Sequence, residues 1–133
     1  MAADETSCHA EKSRLQSEAW SMIGVLFRMT DRMAAVTELW EEHMQAAFPG
    51  RLRGADVAGV EMVMLDAGVA GCVSTWLRKG GNIDDQRWDY LATCEQQLIR
   101  VIPELNGHEA AYYQRLLDMT ILVLDSPGDR PSG

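Results

Sequence analysis

From Leu15 onward, apolar side chains recur at alternating steps of four and three: Leu15, Ala19, Met22, Leu26, Met29, Met33, Val36 and Trp40. A polar step at His43 carries this seam on to Ala47. A heptad stripe of this kind predicts an amphipathic helix whose seam needs something to pack against. Ser13 and Gln16 suit a capping box at its start, and Pro49-Gly50 suits its stop. The pattern predicts one helix of about 35 residues, ~50 Å long at ~1.5 Å per residue. Thr30-Asp31 offers the alternative, a second helix restarted after a kink.

Arg51, Arg53 and Gly54 lie in the loop that follows. Asp56 then reads as the N-cap of a second helix running to Lys79 and closed by Gly80-Gly81. This helix is apolar nearly all round, which predicts neighbours on most sides or a partner covering one of them. Ala67, Ala70, Gly71 and Ser74 follow at steps of three, one and three, and side chains this small let a second helix come close. Asn82-Ile83-Asp84-Asp85 predicts a third helix that buries Leu91, Cys94, Leu98, Val101 and Leu105, with Pro103 ending or distorting it. Asn106 and Glu109 suit a capping box for a fourth helix, with Tyr113, Leu116, Leu117, Thr120, Val123 and Leu124 on its broad inner face. No alternating strand pattern competes with these assignments.

Short loops favour antiparallel neighbours, so the expected fold is all-α: an antiparallel four-helix bundle with a long first helix. Residues 1–12 read as a flexible N-terminal segment, 13–125 as the bundle and 126–133 as a loose tail. The first helix overhangs the others unless it kinks, wraps the bundle or pairs with a second copy. Homodimerisation through Met22, Leu26, Met29, Met33 and Trp40 is therefore a natural use of its seam.

Composition narrows the partners. The 133 residues carry a formal charge of −8, which opposes the counterion release that drives nucleic-acid binding. No apolar run reaches the ~20 residues that a membrane helix needs. The polar, acidic start lacks the order of a signal peptide, so the expected location is the cytoplasm. Cys8, Cys72 and Cys94 are far apart, without zinc-ligand spacing.

Motif chemistry is absent. No histidine follows a glutamate by three residues, as a di-iron bundle requires, and there is no HExxH, P-loop, GxGxxG or GxSxG. No cofactor and no metal are expected, and the three histidines read as ordinary surface or interface side chains. The informative polar residue is Asp66, set among Met62, Val63, Val69, Ala70 and Val73 with no Lys or Arg within four positions. A charge there must bond to another helix, reach solvent or keep its proton. One reading is a structural bond to an Arg, Tyr or Trp. The other is a ligand pocket formed by Asp66 with Glu95, Trp76, Tyr112 and Tyr113, in which Asp66 and Glu95 form a carboxylate pair. Glu38, Glu41 and Glu42 cluster near the end of the first helix, where Arg51 and Arg53 could fold back on them; otherwise they contribute to an acidic face for a basic partner.

The stretch GVEMVMLDAGVAGCVSTWLRKGG, with RWDYLATCEQQLIRVIPEL and AAYYQRLLDM after it, resembles uncharacterised conserved helical proteins of actinobacteria over roughly residues 56–124. Ten arginines against two lysines agree with a GC-rich origin. The resemblance implies no activity and transfers no site residue. The expectation is a non-catalytic protein acting by self-association or through a protein partner. The alternative is a small-molecule or metal-binding bundle, and so an enzyme candidate, around Asp66.

Overall fold

The structure is a computed structural model that describes residues 13–125, with side chains from Met29 onward. The expected N-terminal segment and C-terminal tail lie outside the described residues, as do the side chains of Met22 and Leu26. By their contacts the residues form two units, Met1–Asp31 and Arg32–Gly133. The opening part of α1 (Ser13–Gln45) belongs to the first, and the second holds the bundle. There α1 from Arg32 on, α2 (Met62–Arg78), α3 (Asp85–Val101) and α4 (Gly107–Leu124) pack against one another. Single turns of 3-10 helix at Gly50–Leu52 and Ile102–Glu104 lie in the connections.

The first helix is a single element of 33 residues, without a restart at Thr30-Asp31. In the second unit its seam faces inward. Val36 is fully buried, while Met33, Leu39 and Trp40 pack against the core from its edge. The chain direction of two helix pairs follows from their bonds. Arg32 donates to the Leu122 carbonyl and His43 meets Tyr112, so α1 and α4 run oppositely. Cys72 lies at Arg87 and Gly68 at Tyr90, so α2 and α3 do too.

The expected start of α2 is displaced. Asp56 is not its N-cap but lies in β1 (Asp56–Val57), paired antiparallel with β2 (Val60–Glu61). The linking Ala58 and Gly59 have φ of +50° and +81°, the positive angles of a two-residue hairpin turn whose twist matches its strands. The expectation of no strands fails here because two residues a side are too few to show a period. Glu61 is the cap, its carboxylate accepting from Met64 N at 3.1 Å and Val63 N at 3.3 Å. The other starts fall where expected. Asp84 accepts from Arg87 N at 2.8 Å, and Asn106 and Glu109 form their capping box. Pro103 sits in the 3-10 turn after α3.

The centre of the bundle is Trp76, Leu91, Leu98, Tyr113, Leu116 and Met119, all at zero exposure. Among the described residues no helix is long and apolar enough to cross a membrane.

Candidate functional site

Two places on the molecule depart from ordinary packing. The first surrounds Asp66. The apolar α2 carries this carboxylate in its second turn to a junction where α1 and α4 supply its partners. His43 Nε2 lies 3.0 Å from Oδ1, and the Tyr112 hydroxyl donates to Oδ2 at 2.9 Å. The histidines were expected to be surface or interface side chains, and His43, at 4% exposed, is not on the surface. Its place in the α1 seam, between Trp40 and Ala47, was the signal for burial. A neutral His43 carries its proton on Nε2 and donates it to Asp66. The other ring nitrogen, Nδ1, is buried and has no partner among the described residues. Tyr112 and Phe48 wall the junction, with ring centroids 5.6 Å apart. Burial, then the bond to Asp66, pushes the Tyr112 phenol well above its usual range, so it is a donor at every physiological pH.

Of the residues expected around Asp66, the structure brings Tyr112 to it. Tyr113 touches Tyr112, but its hydroxyl donates to the Met62 carbonyl at 2.8 Å. Trp76 is wholly buried in the core. Glu95 is half-buried on α3, while the bonds to Asp66 come from α1 and α4, not from a second carboxylate. Among the described residues no three His, Cys, Asp or Glu side chains group to hold a metal. The junction ties three helices, with both carboxylate oxygens engaged.

The glutamates of α1 are also placed differently from expectation. Arg51 does not fold back on them but donates through Nε to Glu109 at 2.6 Å, tying the loop to the start of α4. Arg53 lies over the Phe48 ring at 5.3 Å. Glu42 pairs instead with Arg115 at 3.5 Å.

The second place was only half legible in the sequence. Between α2 and α3 runs an open groove of about 660 Å³. Its floor is Ala67, Gly68, Gly71 and Cys72, and its polar margin includes Arg78, Arg87 and Tyr90. Within this acidic chain the lining holds two cations and no acid. Arg87 is answered by its own Asp84 at 2.7 Å. Arg78 donates to the Thr75 hydroxyl at 3.1 Å and has no carboxylate partner among the described residues.

The two floor glycines differ. A Cβ on Gly68 would collide with the Tyr90 ring and hydroxyl, so this glycine makes room for an internal contact. A Cβ on Gly71 would meet nothing within 4 Å, and its φ lies outside the positive range that favours glycine. A mid-helix glycine costs about 1 kcal/mol relative to alanine, and nothing inside the fold explains Gly71. Two turns away on the same helix stands Met64, 61% exposed, and Tyr90 on the facing helix is 46% exposed.

The thiols in this region are quiet. Burial raises Cys72 despite the nearby Arg87 charge, and burial pushes Cys94 up to about 11.

Compared with protein-family models, with curated proteins and with solved structures, the chain matches none.

Proposed function

We propose that this is a non-catalytic helical module that acts by association, and that its working surface is the α2/α3 groove, filled by a second copy of the chain. The observation that carries this reading is Gly71. It weakens its own helix, meets nothing inside the molecule, and leaves backbone open at the bottom of a groove with small neighbours. A second helix seated there makes use of that opening, because small side chains at a crossing permit close approach. Exposed Met64 suits the same purpose, since methionine adapts to a partner's shape.

A cytoplasmic setting goes with this reading. Cys72 and Cys94 are free thiols, the state that a reducing compartment maintains. The alternative, a ligand or metal pocket around Asp66, has less support, because His43 and Tyr112 already engage both carboxylate oxygens.

Light scattering on the purified chain and on Gly71→Trp tests the proposal. The wild type is expected at twice the 14.8 kDa chain mass at tens of micromolar. Gly71→Trp, which fills the groove without touching the core, is expected at the monomer mass with unchanged helicity. A monomeric wild type, or a dimer indifferent to Trp at position 71, overturns the assignment of this face.

A further inference from the structure

We infer that the α2/α3 groove takes a small amphiphilic anion, a flat apolar body ending in a carboxylate or phosphate. Its head lies on Arg78 and its body over Gly71 against Tyr90. Binding needs only the groove of a single chain. Its consequence for assembly rests on the association proposed above: ligand and second copy claim the same space, so the ligand is expected to dissociate the pair.

The charge of the lining points to the head. The chain carries 20 acidic residues against 12 Lys and Arg, yet the groove is lined by two arginines and by no Asp or Glu. The other polar side chains of the lining, Ser74, Thr75, Gln86 and Tyr90, can each donate a hydrogen bond. A lining of donors and positive charge complements an anionic acceptor and offers a cation no carboxylate.

The two arginines are not equal. Arg87 Nη1 meets the Asp84 carboxylate at 2.7 Å, which compensates its charge. Arg78 Nη2 donates to Thr75 Oγ1 at 3.1 Å, and that hydroxyl in turn donates to the Gly71 carbonyl at 2.9 Å. Thr75 is 6% exposed, so a buried hydroxyl fixed to the helix backbone holds the guanidinium at the groove. Its partner there is neutral and occupies one of the five N–H donors of an arginine. The charge of Arg78 is left without a carboxylate among the described residues. The planar fork can still receive a carboxylate or phosphate on two donors.

Size and shape point to the body. The groove's volume of about 660 Å³ falls within the ~300–1,000 Å³ of small-molecule sites. Gly71 leaves the floor open, and Tyr90, lying across Gly68, sets an aromatic wall on the facing helix. Offset stacking on such a ring suits a flat apolar body. From Gly71 to Arg78 is ~10 Å along α2 at ~1.5 Å per residue, about the length of two fused rings with an acidic head.

Isothermal titration calorimetry with three probes of one shape tests the site: 2-naphthoate, 2-naphthyl phosphate and the neutral 2-naphthalenemethanol. One anion per chain is expected to bind, and the stronger of the two identifies the preferred head. The alcohol is expected to bind about tenfold more weakly, and Arg78→Gln to weaken the anion by about the same factor. Arg100→Gln, at an exposed position elsewhere on α3, is expected to change nothing. Gly71→Trp, with helicity unchanged, is expected to abolish binding. Equal affinity for alcohol and anions, indifference to Arg78→Gln or Gly71→Trp, or no binding of either anion at millimolar concentration overturns the site. Light scattering with saturating anion then separates this inference from the association it touches. A fall from dimer to monomer mass supports both. A dimer that binds the anion and stays intact overturns the groove as the place of association and leaves the ligand site standing.

Discussion

At the scale of single residues, the two glycines of α2 make opposite predictions from the same chemistry. Gly71→Ala adds helix propensity without a clash, and the isolated chain is expected to gain about 1 kcal/mol. Gly68→Ala drives a methyl into Tyr90, so the gain is expected to vanish as the ring is displaced. Urea denaturation of both variants, at concentrations where the wild type is dissociated, checks the contrast. Asp66→Ala leaves the His43 Nε2–H and the Tyr112 hydroxyl without their acceptor at a buried junction. A loss of about 2–4 kcal/mol is expected, with Asp66→Asn losing less because its carbonyl still accepts one bond. Cys94, held up to about 11 by burial, is expected to react with a thiol reagent only on unfolding. The sequence made Asp66 conspicuous through its apolar surroundings and its lack of a local cation. It hid His43, because composition alone makes histidine look superficial even when a heptad seam carries it inward. Gly71 was visible as one of the small residues of α2 that let a second helix come close. That it opens to solvent rather than to a neighbouring helix is a matter of tertiary packing that no local pattern encodes.

At the scale of elements, helices with strong periodicity and capping residues were legible, and the join before α2 was not. Asp56 looks like a cap because aspartate often is one, yet Ala58-Gly59 turns the chain first and Glu61 takes the role. Ala58 is the weak member of that turn, a side-chain-bearing residue at φ +50°, where an L-residue is strained by about 1 kcal/mol. Ala58→Gly or Ala58→Asn is therefore expected to raise the melting temperature, read by circular dichroism. The loop before the hairpin is pinned to α4 through Arg51 and Glu109. Bonding to Arg51 is the main influence holding the Glu109 carboxyl below its usual range. A depressed carboxyl adds stability that is present above its unfolded value of about 4.3, and that stability is lost as pH falls through the lower folded value. Glu109→Gln is expected to melt below the wild type at pH 7, with the gap closing as the pH is lowered towards 3. A gap of constant size would show that the pair does not act through charge.

At the scale of the whole molecule, a bundle locked by Asp66 on one side and open at Gly71 on the other has a natural division of labour. The lock holds α1, α2 and α4 together, and the open groove between α2 and α3 is the surface we propose for association. Native mass spectrometry of the protein purified without added metal or ligand tests the central claim most directly, because it weighs the assembly and anything retained with it together. The expected result is a dimer with no extra mass, converted to monomer by Gly71→Trp. A monomer that carries a bound small molecule or metal would contradict association as the function and turn attention to the junction around Asp66.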